Sequence, residues 1–492
     1  MPHVDLLSKE DYVSIFYRTN TATGNVGAFD PEKPTIVMIH PLHLDSDWLF
    51  PQLDDPRLRT KYNIIVFDTR VSGRSVTRYN GKYDLWVAAA DLAHAFHYLA
   101  LPPAHFFASE ILRMQYVDSQ PYLCLSMTLC SIPSQTEMKG VFDAYDELCQ
   151  LWGYAEDLET YEHANKLLLS YCANPTTHVD IQDEMVAFWQ SHHPPWKRSH
   201  LIAFAQAALN RTQMTPPELS AIKVPTLIIQ ADKNPIYPMQ NAEDLRDALV
   251  NVPGGAVIFT VKAEIGILTV FSSSIVNQTF NKFISRLPRT RSDLAPKVDS
   301  CEKVMKAALE RLAAFKVDSN FLSRDLKCPL SFSCVTDEVE RSQNGAVAAY
   351  AKGQRKAWSP LGMDGRPLRK FSERGDHWLS DGADGYSYSV VEKKPKEKEK
   401  RRLKLPSKLS KQPPKPAPPP VSPPRPTPMP LPTVELLDTE PVSLTQMQVA
   451  RSRRMMMDPT MHSAEQQVVK GTMAKVMAHH TTSVPQLSRI LR

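Results

Sequence analysis

The chain has 492 residues, 58 Lys+Arg against 53 Asp+Glu, and 41 prolines beside only 17 glycines. That length exceeds what one hydrophobic core usually serves, and a proline excess without glycine fits a stiff, extended segment better than collagen or a flexible linker. No apolar run approaches the ~20 residues of a membrane-crossing helix, the start Met1-Pro2-His3-Val4-Asp5 has no charged-then-apolar leader, and seven cysteines without a CxxC pair argue against a disulfide framework or a zinc site.

From about residue 10 to 287, short β-branched runs alternate with helical patterns, as in a parallel α/β sheet. Strands are expected at 12–18, 35–40, 63–68, 104–108, 123–130, 224–230 and 256–261. Those at 35–40, 63–68 and 224–230 read as nearly continuous apolar runs, the pattern of strands buried on both faces. Stretches 83–101, 241–249 and 274–287 carry the 3.6-residue period of core-facing helices. Between about 139 and 220 helix follows helix without a strand, which predicts a cap inserted into the sheet domain. Because 10–287 holds all the expected strands, it is expected to fold on its own.

Beyond residue 288 the sheet pattern stops. Met305, Ala308, Leu309, Leu312 and Phe315 form one helical stripe over 304–315, so residues 288–391 read as a C-terminal extension with one amphipathic helix, partly irregular, with 320–391 mostly so. Residues 392–411 carry a local charge of +7, and 413–432 contain twelve prolines, so 392–492 is expected to be a disordered basic and proline-rich tail. The run 393–411 suits an import receptor or a polyanion, and 413–432 suits an SH3-type groove, with Lys415 and Arg425 as its basic residues. These features point to the cytoplasm or the nucleus.

Two segments near the N-terminus are specific. His40-Pro41 closes one apolar strand, and a second ends in Asp68-Thr69-Arg70-Val71-Ser72-Gly73-Arg74-Ser75. With the helical insert and the late strand leading to Asp232-Lys233-Asn234-Pro235-Ile236-Tyr237-Pro238, the chain over 10–287 resembles the α/β-hydrolase superfamily. The resemblance implies an α/β-hydrolase fold: a mostly parallel sheet flanked by helices, with a helical cap and, in this chain, a C-terminal extension. It implies a pocket under the cap for a small-molecule ligand or substrate, and neither cofactor nor metal.

The superfamily's chemistry needs a nucleophile on a tight strand-to-helix turn, a histidine base, an acid to orient that base, and two backbone N–H groups for the oxyanion. In the frame G-x-S-x-G this chain reads Phe107-Ala108-Ser109-Glu110-Ile111, which keeps the serine and loses both glycines. The position of the acid is Asn234, with Asp232 two residues earlier as the substitute. Where a Gly-His step is expected the sequence reads Gly266-Ile267, and no histidine occurs between His200 and His377. His43, His192 and His193 are the remaining candidates for a base. The N–H groups of Leu42 and Glu110 are the expected oxyanion donors.

Two functional readings follow. One is a serine hydrolase acting on a small ester, lactone or amide through Ser109, with Asp232 in support. The other is a catalytically eroded α/β-hydrolase that serves as a binding or scaffold protein.

Overall fold

The computed structural model describes residues 2–109, 123–134, 139–173, 177–264, 266–292 and 300–374. Among these, nine strands form one mixed sheet: β1 (His3–Leu7), β2 (Tyr12–Thr19), β3 (Thr35–Ile39), β4 (Asn63–Phe67), β5 (Val76–Thr77), β6 (Ala104–Ser109), β7 (Cys124–Cys130), β8 (Thr226–Ala231) and β9 (Val257–Val261). Their spatial order is β1-β2-β4-β3-β6-β7-β8-β9, with β5 added to β2. β2 pairs antiparallel with β1, β4 and β5, and every pairing from β4 across to β9 is parallel. The seven strands expected from sequence are present within two residues of their expected ends. β1 and β5 are additions to that expectation.

The longer helices are α1 (Leu85–Tyr98), α2 (Lys139–Gly153), α3 (Leu158–Cys172), α4 (Val179–His192), α5 (Arg198–Leu209), α6 (Met239–Ala248), α7 (Ser273–Ile284), α8 (Cys301–Lys316) and α9 (Asp337–Ala351). Successive strand residues face opposite layers. Thus Ile36, Met38, Ile64, Val66 and Phe107 pack with Val276, Phe280 and Ile284 of α7. Val37, Ile39, Ile65, Phe67 and Ala108 pack on the other side with Trp86, Ala89, Ala93 and Phe96 of α1. Helices α2 to α5 lie between β7 and β8 in the chain and cover the carboxyl ends of the strands through their own apolar cluster, built on Trp152, Tyr161, Leu168 and Trp189.

The segment after β4 is fixed by charge and by one glycine. Arg70 forks onto Asp91 of α1 at 2.9 and 2.6 Å and reaches Asp11 at 2.6 Å, and all three side chains are buried. Removing one partner would strand a buried charge at a cost of about 3–5 kcal/mol. Asp68 accepts the N–H groups of Ser46 and Arg74, each at 2.8 Å. Gly73 sits at φ +55, where a Cβ would stand 2.2 Å from the Asp68 carboxylate, so only glycine closes this loop.

The extension is part of the body. Met305, Ala308, Leu309 and Leu312 of α8 join the same core as α1, and Phe321 and Phe332 follow them into it. The expected helix at 304–315 is therefore present, and its stripe is a core face. A second helix, α9, corrects the expectation of a single helix in 288–391. It packs on the cap through Ala346 and Tyr350 against Tyr145, Cys149, Ile202 and Ala205. Arg198 of α5 donates to the carbonyls of Tyr350 (2.7 Å) and Lys352 (2.6 Å). Farther along, Trp358 meets Tyr161 and Phe371 enters the cap cluster. The basic and proline-rich segments at 393–411 and 413–432 lie outside the described residues.

Candidate functional site

The parallel pairing of β3 with β6 sets Ile39 beside Ala108, and β6 with β7 sets Ser109 beside Cys130. Ser109 therefore ends its strand at the carboxyl edge of the sheet, where open α/β folds carry their chemistry. Its side chain is fully buried, and its Oγ lies 3.1 Å from Oγ1 of Thr269. Thr269 is also fully buried, in a short helical turn (Leu268–Phe271) after β9, and its carbonyl accepts a hydrogen bond from Gln52 Nε2 at 2.8 Å. Among the described residues no histidine is hydrogen-bonded to Ser109. Glu110, the expected second oxyanion donor, lies outside the described residues.

The step Gly266-Ile267, where the resemblance leads one to expect Gly-His, is held by packing. Gly266 has φ +138, and a Cβ there would approach Phe271 to 2.9 Å, so the glycine of the Gly-His step is still required by the backbone. Ile267 follows it at 1% exposure, packed in the cap cluster with Leu44, Trp152, Leu168 and Trp189. Its N–H donates to the Cys172 carbonyl at 3.2 Å, and a β-bridge joins Ala173 to Gly266. The loop at Gly266-Ile267 is thus a seam between body and cap, and the side chain it buries there is aliphatic.

The acidic positions serve the backbone. Asn234 is buried, and its Oδ1 accepts the N–H groups of Ile236 (2.9 Å) and Tyr237 (3.2 Å), the usual task of Asn in a turn. Asp232 is exposed; its N–H donates to the Val261 carbonyl at 3.0 Å and its Oδ1 accepts the Ala263 N–H at 3.0 Å, tying the end of β8 to the end of β9.

His40 is buried, its Nδ1 2.8 Å from the Pro41 carbonyl, and its Nε2 accepts the Thr69 N–H at 3.2 Å, so it joins the loops after β3 and β4. Leu42 is half-buried and packs against Val71, Tyr83, Phe204 and Leu330. His43 adopts φ +65 and turns into the cap, where its Nε2 hydrogen-bonds the Tyr145 hydroxyl and its carbonyl accepts the Trp189 indole N–H at 3.0 Å.

A cluster that sequence reasoning did not assemble surrounds His43. The rings of His193 and His200 stack 5.3 Å apart, Phe204 contacts both His193 and His43, and Tyr171 meets His43 edge-on. Burial lowers His43 to about 3 and His200 to about 4, and drives His193 well below the usual histidine range, with neighbouring histidines and Lys197 adding to the shift for His193. These imidazoles are neutral at pH 7. His192 is half-buried instead, with Nδ1 2.9 Å from the Phe188 carbonyl and its ring stacked on Phe188. A cavity of about 20 Å³ opens between His43, Tyr145, Trp152, Trp189, His193 and Phe204, room for one water. The only sequence signal for the cluster was the His192-His193 pair and His200 within the helical insert.

Among the described residues no group of three or more His, Cys, Asp or Glu side chains is placed to hold a metal ion. No helix among them is long and apolar enough to cross a membrane.

No family model matches the sequence, and no curated protein matches it. Solved structures do. A hydrolase from Pseudomonas aeruginosa PA01 is 18% identical, with TM-score 0.46 over 57% of this chain and 98% of its own. The enol-lactonase from Burkholderia xenovorans LB400 is 17% identical, with TM-score 0.45 over 58% of this chain and all of its own. A thermophilic esterase from Thermogutta terrifontis is 14% identical, with TM-score 0.46 over 59% of this chain and all of its own. Similarity at this level says nothing of chemistry. The strand order, the single antiparallel flank and the cap between β7 and β8 belong to one architecture: the body of this chain has the α/β-hydrolase fold.

Proposed function

We propose that this chain is an α/β-hydrolase-fold protein that has lost the serine-hydrolase step and works by binding, as a scaffold. The observation that carries this reading is Ile267, buried in the seam where the base belongs, while the Ser109 hydroxyl is paired with Thr269. A serine hydroxyl without a base stays protonated and is a poor nucleophile, and loss of one triad member costs several powers of ten in rate. The fixed cap agrees with this reading, since α9 and the segment after it grip the helices that would have to admit a substrate. Partners of this scaffold would be recruited through the basic run 393–411 and the proline-rich run 413–432, in the cytoplasm or the nucleus.

The test is hydrolysis of p-nitrophenyl acetate by the full chain and by Ser109→Ala. Equal rates at the level of a non-specific protein surface support the scaffold reading. Turnover that disappears in Ser109→Ala would establish the hydrolase reading instead, with Ser109 as nucleophile acting on a small ester, lactone or amide.

A further inference from the structure

We propose that Ser372 is a phosphorylation site, and that a phosphate there unlatches residues 358–374 from the cap. This goes beyond the scaffold reading and does not depend on it.

Ser372 is exposed in the short turn Phe371–Glu373. Its N–H donates to Asp183 Oδ1 at 2.7 Å and its hydroxyl donates to Asp183 Oδ2 at 2.8 Å, so one carboxylate of α4 holds both donors of the serine. The turn is seated by two further contacts. Phe371 is buried in the cap cluster, and Arg369 forks onto the buried Glu162 of α3, with Glu159 3.8 Å away. The cap-facing groups are thus carboxylates, and the latch supplies the donors.

The residues leading to the serine are Arg366-Pro367-Leu368-Arg369-Lys370-Phe371, which place arginine three positions and lysine two positions before it. A protein kinase with an acidic substrate groove recognises that spacing by charge. Short surface segments open locally far more often than the whole fold does, and opening presents 366–374 as an extended peptide. The Ser372 oxygen then attacks the γ-phosphorus of ATP. The new O–P bond forms as the bond to the β–γ bridging oxygen breaks, ADP leaves with that electron pair, and the hydroxyl proton passes to the kinase's carboxylate base.

The product carries a charge of about −1.5 to −2 at neutral pH in place of a hydroxyl donor. Reseating the turn would set that charge against Asp183 after losing one of its two hydrogen bonds. The modification therefore traps the open latch, because the closed arrangement has become repulsive.

The experiment incubates the full chain with Mg-ATP and the catalytic subunit of cyclic-AMP-dependent protein kinase, maps phosphate by peptide mass spectrometry, and follows hydrogen exchange over 358–374. The expected result is phosphate on Ser372, with exchange in that segment roughly tenfold faster in the phosphorylated chain and in Ser372→Glu, but within about threefold of the unmodified chain in Ser372→Ala, which loses only a hydroxyl bond. Absence of phosphate from Ser372, or equal exchange in Ser372→Glu and Ser372→Ala, would overturn the proposal.

Discussion

Ser109 and Thr269 stand 160 positions apart in the chain, yet their hydroxyl oxygens are 3.1 Å apart in a fully buried pair. One hydroxyl satisfies the other where a triad enzyme would present imidazole to serine, so the pair has a structural role that can be measured. Thr269→Val strands the Ser109 hydroxyl and Ser109→Ala strands that of Thr269, each costing about 1–3 kcal/mol. The double variant removes both and should cost less than the sum by about 1 kcal/mol. Urea midpoints of the four proteins check this, and strict additivity would mean that the two hydroxyls do not interact.

Acid should loosen the seam between body and cap. His43 and His200 have native values of about 3 and about 4, below their unfolded value near 6.5, so they are neutral in the folded chain and the unfolded chain binds protons first as pH falls. Their contribution to stability is complete above about pH 6.5 and is lost as pH falls toward 4 and then 3. Urea midpoints followed by the fluorescence of the buried Trp152 and Trp189 should therefore drop between pH 7 and pH 4.5, and drop less in His200→Gln. An identical decline in that variant would remove His200 from the explanation.

Helix α8 should be indispensable. Met305, Leu309 and Leu312 are each 1% exposed within the main core, so a chain ending at Ser292 leaves that face of α1 and the sheet open to water. That chain should aggregate, while one ending at Arg374 should remain soluble. Leu309→Ala in the full chain should cost about 2–5 kcal/mol. A soluble, cooperatively unfolding 1–292 fragment would restore the sequence-based expectation that 10–287 folds alone.

Val317 closes α8 at φ +53 and is 91% exposed, a left-handed conformation that disfavours a β-branched residue. Val317→Gly should raise stability by about 1 kcal/mol, because glycine adopts this conformation freely and no contact is lost. A lower melting temperature for that variant would show that the side chain makes a contact which exposure conceals.

The sheet was legible because its central strands are β-branched runs buried on both faces, and Thr35–Ile39 and Asn63–Phe67 could be little else. β1 was missed because His3 and Asp5 alternate with Val4 and Leu6 on a flank of the sheet with one buried face, a weaker signal over five residues. Helix α9 was missed for a related reason: only Ala346 and Tyr350 of its fifteen residues are buried, and Gly345 inside it is a poor helix former. Its readable start was Thr336, whose hydroxyl caps Val339 N, followed by Asp337 and Glu338. At the site, Ser109, Asn234 and Ile267 were named only by laying the superfamily's motifs on the sequence. Thr269 could not be named as the serine's partner, since a hydroxyl pair across 160 residues leaves no periodicity, and the turn bonds of Asn234 appear only in three dimensions.

The proposal that Ser109 has lost nucleophile chemistry is tested most directly by labelling the full chain with a fluorophosphonate probe, which reacts with a serine that a base has activated. With Ile267 buried against the cap and Thr269 on the serine hydroxyl, the proposal expects wild type and Ser109→Ala both to remain unlabelled under conditions that saturate a working serine esterase. Stoichiometric labelling of wild type that vanishes in Ser109→Ala would show an activated serine and contradict the assignment of this site to structure.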